Sequence, residues 1–225
     1  MLAVYCYDIE TLTDDDFLKL YASVDKDRQK KADRLKQHPA KKLSVAAGML
    51  ARFAISQHAH VPVTSVKFRN TAGGKPSADG LNIHFSISHS VGLAVCAVSD
   101  RPIGVDAEHR RVVPEDVIAR CFSQGEQDYV LEEPRKTRGR FFEIWTQKEA
   151  YVKMMGTGIT DFPSFDVTTK KDNIKTAAFK DYVISVATED GASLSLPHIT
   201  VVRHRLEEDG VVLYEHKTTR AEFKG

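Results

Sequence analysis

The sequence predicts an α+β fold of two similar lobes, and three observations lead there. Helical patterns precede strand patterns in each half, and Asp100-Arg101-Pro102 marks a turn between the halves. The 225 residues, 42% of them hydrophobic, suffice for one large or two small cores. The expected lobes are residues 1–102 and 103–225, each of helices and strands, with one continuous α+β domain as the alternative. A ligand would lie in the crevice between them.

Leu2 to Ile9 alternates apolar and polar positions closely enough for a strand. Thr13 ahead of Asp14, Asp15 and Asp16 reads as an N-cap with an acidic first turn, opening a helix to about Ala22. A basic helix is expected over 25–37, broken near Pro39, and an apolar one over 42–58, where Leu43, Ala46, Ala47, Leu50, Ala51 and Ala54 recur at helical spacing. Val63 to Phe68 is strand-like, and Thr71-Ala72-Gly73-Gly74-Lys75-Pro76 is a tight loop. Strands over Asn82–Ile87 and Gly92–Val98 flank His89, the second apolar enough to be central. Ile103–Glu108 starts the second half as a strand, followed by helices over 114–121, 124–132 and 138–155. Strands return near 164–168, 181–188, 198–205 and 210–217, with Glu207-Glu208-Asp209-Gly210 a turn between the last two.

Composition narrows the function class. Cys6, Cys96 and Cys121 lie far apart in apolar surroundings with no CxxC, which favours reduced, buried thiols. Asp8 and Glu10 near the N-terminus argue against a signal peptide, and no apolar run approaches the roughly 20 residues that span a bilayer. A cytoplasmic protein without a membrane partner is expected. The net charge is +1, yet residues 26–42 carry eight lysines and arginines against Asp27 and Asp33. Such a patch attracts an anion. With no interleaved aromatics and a near-neutral whole, the partner expected is a small polyphosphate, not nucleic acid. A solvated helix face fits the same residues.

The chemistry gathers at two segments. On a strand, Asp106 and Glu108 leave the same face while Val105 and Ala107 leave the other. Two carboxylates so placed suit Mg²⁺, which takes oxygen ligands; a solvated edge strand suits them too. Glu149 and Lys153 are four apart on a predicted helix, a spacing that also makes an ordinary stabilising surface pair. Thr146-x-x-Glu149 fits a capping box as well, as does Ser123-x-x-Glu126. Gly156-x-Gly158 beyond the helix allows close approach to a ligand. His89 between Ser88 and Ser90, and Lys75 in its glycine loop, could each meet a phosphate. No GxSxG, HExxH or Rossmann fingerprint is present.

Five segments occur in an order that resembles one family: Gly74-Lys75-Pro76; Phe85-Ser86-Ile87-Ser88-His89-Ser90; Pro102-Ile103-Gly104-Val105-Asp106-Ala107-Glu108; Phe122-Ser123-Gln124-Gly125-Glu126; and Trp145-Thr146-Gln147-Lys148-Glu149-Ala150-Tyr151-Val152-Lys153, closing on Gly156-Thr157-Gly158. The sequence resembles the 4'-phosphopantetheinyl transferases, in their larger, monomeric type similar to the surfactin synthetase activator. The resemblance implies coenzyme A in a cleft between pseudo-twofold lobes. It further implies transfer of the phosphopantetheine arm to a serine of an apo acyl or peptidyl carrier protein, with release of 3',5'-ADP. Carried over by motif, Asp106, Glu108 and Glu149 resemble the acids around Mg²⁺, for which Mn²⁺ could substitute, and Glu149 and Lys153 resemble the catalytic pair. Arg28, Lys31, Lys75, Ser88, His89, Asp106 and Lys153 resemble the coenzyme A contacts. Glu126 resembles a helix-start acid near the metal. An arginine that usually opens the next helix is replaced here by Lys41 or Lys42, beside Pro39. A noncatalytic binding module and a Mg²⁺-dependent nucleotide pyrophosphohydrolase are the rival functions. Arg110, Arg111 and Met154-Met155 are candidates for a basic and apolar rim that meets an acidic carrier.

Overall fold

The computed structural model describes residues 2–70, 75–113, 115–157, 162, 164–170, 172–189, 198–207, 210–220 and 223–224. The first lobe opens with strand β1 (Leu2–Asp8) and three helices, α1 (Asp14–Ser23), α2 (Lys26–Asp33) and α3 (His38–Ala59). A short pair, β2 (Phe68–Asn70) and β3 (Pro76–Ala78), precedes β4 (His84–Ser90) and β5 (Leu93–Ser99). The second lobe repeats the plan: β6 (Ile103–His109), then α4 (Glu115–Cys121), α5 (Gln124–Leu131) and α6 (Thr137–Met155), then β7 (Ile174–Phe179) and β8 (Tyr182–Thr188). In each lobe the last strand lies between the other two, β1-β5-β4 and β6-β8-β7, and all four pairings are antiparallel. The expected α+β fold of two similar lobes is therefore present.

The chain then crosses back. Strand β9 (His198–Glu207) pairs parallel with β1, and β10 (Gly210–Arg220) closes that sheet's edge, while β11 (Phe223–Lys224) pairs with β7.

Alternation along the strands builds a helix–sheet–sheet–helix sandwich. Tyr5 and Tyr7 of β1 with Ala94, Cys96 and Val98 of β5 face α3, whereas Val4 and Cys6 with Leu93, Val95 and Ala97 face the second sheet. From that sheet Ile103, Val105 and Ala107 meet them, so the intervening residues of β6 turn toward α6. An ideal Cβ on Gly104 would fall 1.8 Å from the Ala150 carbonyl oxygen and 2.5 Å from the Met154 nitrogen, both main chain of α6. Backbone cannot step aside as a side chain does. Gly104→Ala is thus expected to cost about 3 kcal/mol or more through overpacking, read as a lower urea midpoint with an unchanged slope.

Side-chain caps account for the starts of α1, α2 and α5. Thr13 accepts the Asp16 N–H, and Ser123 with Glu126 forms a complete capping box on α5. Pro39 stands in the first turn of α3, where its missing N–H is harmless. Thr146-x-x-Glu149 is not a cap: it lies inside α6, and Thr146 Oγ1 donates to the Phe142 carbonyl.

Several boundaries differ from expectation. Val63–Ser65 is a single 3-10 turn, with strand only from Phe68. Strand β4 runs through His89 to Ser90, and the turn is confined to Val91 and Gly92, at φ 30° and 84°. The polar Ser88 and Ser90 on either side of His89 suggested a strand end, but their hydroxyls, like that of Ser86, are satisfied by β6. Residues 167–169 form a 3-10 turn where a strand was expected, and β7 was not foreseen. Residues 71–74, Gly158 and the 208–209 turn lie outside the described residues. All three cysteines are free, and burial raises the Cys6 thiol to about 12. Among the described residues no helix is long and apolar enough to cross a membrane.

Candidate active site

Strands β4 and β6 belong to different sheets and are laced together by serine hydroxyls. Ser86 Oγ accepts the Val105 N–H at 3.1 Å and Ser90 Oγ accepts the His109 N–H at 3.1 Å. Ser88 and Ser90 in turn donate to the two β6 acids, to Asp106 Oδ1 at 2.7 Å and to Glu108 Oε2 at 2.8 Å. Ser86 and Ser90 had not been read as part of the site. Their signal in the sequence is a hydroxyl at every second residue opposite a strand that alternates acids.

Helix α6 covers this face. Lys153 Nζ lies 2.6 Å from Asp106 Oδ1 and 3.1 Å from Ser88 Oγ. Asp106 is 4% exposed, and its other oxygen, Oδ2, is buried without a hydrogen-bond partner among the described residues. Asp106, Glu108, Glu149 and Lys153 line one cavity together with Ile87, Ser88 and His89. Burial first, then the nearby Asp106, raises the Glu149 carboxyl to about 7, with Lys153 opposing and Glu108 adding to the rise. Glu108 is likewise raised, mainly by burial.

Among the described residues no three histidine, cysteine or acidic side chains form a preassembled metal cage. Oxygen donors that suit a hard cation are nevertheless present: Asp106, one of whose oxygens is buried and without a hydrogen-bond partner among the described residues, lines a cavity with Glu108 and Glu149, whose protons are held on by burial first and then by the Asp106 charge.

A larger cavity of about 430 Å³ adjoins, sharing Ile87, His89, Glu149 and Lys153, and is lined also by Arg28, Lys31, Lys75, Ala47, Phe85 and Gly156. Partial burial, then Lys153, Lys31 and Arg28, hold the His89 imidazole below its ordinary value, although it keeps an exposed edge at the mouth. Lys31 is lowered by desolvation and by Arg28. These cations crowd one space without a matching set of acids, as an anion site requires.

Lys75 is placed differently from a simple phosphate contact. Its ammonium donates to the main-chain carbonyls of Ile103 at 3.0 Å and Lys153 at 2.7 Å, joining β6 to α6, and burial lowers it to about 8. Lys42 donates to the Leu12 carbonyl and pairs with Asp14, and neither it nor Lys41 lines the cleft. Glu126 stands apart from the acids of β6, fully buried and bound to Lys148.

Comparison with known proteins follows the same division of the chain. Residues 11–101 match a family model described as 4'-phosphopantetheinyl transferase, N-terminal, and residues 102–197 match the 4'-phosphopantetheinyl transferase superfamily. The chain is 33% identical over 117 residues to the 4'-phosphopantetheinyl transferase gsp of Aneurinibacillus migulanus, covering 52% of this chain and 49% of that protein. It is 30% identical over 157 residues to a 4'-phosphopantetheinyl transferase of Bacillus subtilis, covering 68% and 70%. To the 4'-phosphopantetheinyl transferase Sfp of Bacillus subtilis (strain 168) it is 30% identical over 127 residues, covering 55% and 57%. The match thus spans about half the length of the first of these relatives and more than two thirds of the second. Two adjoining family matches, together with a relative aligned over most of its length, place this chain in the 4'-phosphopantetheinyl transferase superfamily.

Proposed function

We propose that the protein transfers the 4'-phosphopantetheine arm of coenzyme A to a serine of an apo carrier protein, giving the holo carrier and 3',5'-ADP. The observation that carries this reading is the union of a cation-lined cavity with a buried acid pair: an anion-binding half and a metal-binding half share His89, Glu149 and Lys153. It acts as a monomer of the larger type, similar to the surfactin synthetase activator, in the cytoplasm, with the lobes divided near residue 102.

Arg28, Lys31 and His89 hold the phosphates of coenzyme A, Lys75 braces the cleft wall between β6 and α6, and Ser88 and Lys153 orient the pyrophosphate. Asp106, Glu108 and Glu149 would hold Mg²⁺, or Mn²⁺, which takes the same oxygen ligands. Bound there, the cation would neutralise charge on the pyrophosphate. Glu149 takes the proton of the carrier serine as its ionised carboxylate; burial and Asp106 raise its carboxyl to about 7, and a cation beside it would lower it again. The serine oxygen then bonds to the phosphorus that bears the pantetheine arm, the bridging P–O bond to 3',5'-ADP breaks, and Lys153 stabilises the departing phosphate. The exposed Val112 and Met155, beside Arg111 and along α6, offer an apolar and basic rim for an acidic carrier.

Incubation with coenzyme A, Mg²⁺ and an apo carrier, followed by mass spectrometry of the carrier, tests the reading. The expected result is a gain of one phosphopantetheine arm. Coenzyme A binding with no product would mark a binding module, and its hydrolysis to 4'-phosphopantetheine and 3',5'-ADP without a carrier would mark a pyrophosphohydrolase.

A further inference from the structure

Glycine inside a helix needs a reason, because it weakens the helix relative to alanine. Gly48 sits buried in the middle of α3, directly after Ala46 and Ala47, where nothing in the turn geometry calls for it. Space does. A Cβ built there would meet Arg28 Nε at 2.7 Å, Cδ at 3.1 Å and Cζ at 3.2 Å, and these are the three nearest atoms. Unlike Gly104, which is pressed by main chain, Gly48 is pressed by one long side chain that can swing away.

What it presses is unusual. Arg28 is half-buried, and burial lowers its guanidinium from the ordinary arginine value. Among the described residues the guanidinium makes no hydrogen bond or ion pair of its own. Asp25, the nearest acid, gives one oxygen to the Arg28 main-chain N–H at 2.8 Å and the other to Arg52 at 2.7 Å. The guanidinium instead lines the cavity that Lys31, Lys75 and His89 also line. A partly desolvated arginine whose neighbouring acid, Asp25, acts on it only through space and is bonded to Arg52 is held ready for an anion from outside.

We propose that Gly48 is a positioning residue for the anionic substrate: the absence of a side chain lets Arg28 lie flat against α3 with its guanidinium in the cleft. The inference rests on the reading of that cleft as the coenzyme A site. Adding one methyl at Gly48 levers Arg28 out of the cleft while leaving the helix intact.

Stability and affinity should therefore move in opposite directions. Gly48→Ala is expected to melt at or above the wild-type temperature, since alanine favours the helix. Its dissociation constant for coenzyme A, by calorimetry, should rise on the order of 10-fold, as for loss of a charge-assisted hydrogen bond. KM should rise with kcat nearly unchanged, because ground-state and transition-state binding are lost together. Arg28→Ala should lose as much, and Gly48→Ala added to it should lose nothing further. If Gly48→Ala melts early, Arg28→Ala in the same chain should restore it. Wild-type affinity in Gly48→Ala, a loss additive to that of Arg28→Ala, or a low melting point that Arg28→Ala leaves unrepaired would each overturn the inference. Failure of the wild-type protein to bind coenzyme A would overturn the reading of the cleft, and the inference with it.

Discussion

Replacing Lys148 with methionine should destabilise the protein by about 3–5 kcal/mol, the cost of stranding a buried charge whose partner has gone. Lys148 and Glu126 are both 0% exposed. The ammonium spends all three donors, on Glu126 Oε1 at 2.9 Å, Glu126 Oε2 at 2.8 Å and the Phe165 carbonyl at 2.7 Å, and stands 4.3 Å from the centre of the Phe165 ring. Glu126 is equally committed, accepting the Val167 N–H through Oε1 and the Ser123 N–H through Oε2, both at 2.8 Å. The pair ties the start of α5, the middle of α6 and the segment ahead of β7 into one unit. With Lys148→Met the carboxylate keeps two N–H donors and loses its only cation. Urea unfolding measures the loss. The double variant Glu126→Gln/Lys148→Met should recover part of it, because it removes the stranded charge while the amide oxygen still accepts one of the two N–H groups. A wild-type midpoint in Lys148→Met would refute this structural role.

The same helix shows what was legible in the sequence and what was not. That Asp106 and Glu108 share a face follows from strand periodicity, and that Glu149 and Lys153 share one follows from helical periodicity. Which faces meet depends on tertiary contact: Gly104 brings β6 against α6, and the apolar Ile103, Val105 and Ala107 leave the acids no other direction. Lys148 was overlooked because a charged residue one place before Glu149 reads as solvent-facing; only the turn of α6 onto α5 buries it. Glu126 was legible as a cap, and its box is formed, but a carboxylate that caps a helix and one that binds a cation look alike in sequence. The serines of β4 were misread for a related reason. Hydroxyls normally signal solvent or a turn, and here they replace main-chain acceptors between two sheets. The parallel return of β9 to β1 involves partners almost two hundred residues apart, joined by no local signal.

Asp106→Asn is expected to lower the transfer rate on the order of 10³-fold, about 4 kcal/mol at the transition state, while the fold persists. The amide nearly matches the carboxylate in shape. Its oxygen can still accept from Ser88 and Lys153 at the place of Oδ1, so the lacing of β4, β6 and α6 survives. What disappears is negative charge at the buried, unpartnered Oδ2, the atom with no other task in the protein. Loss of that charge also removes a neighbour that holds the proton on Glu149, and so separates two explanations. Were Asp106 needed only to tune Glu149, the variant would keep tight Mn²⁺ binding and shift only its pH profile; as a cation ligand, it should lose affinity for Mn²⁺ measured by electron paramagnetic resonance. Unchanged circular dichroism and melting, with both transfer and Mn²⁺ affinity lost, is the expected pattern. Full transfer activity in Asp106→Asn would remove the acid pair of β6 from the chemistry altogether.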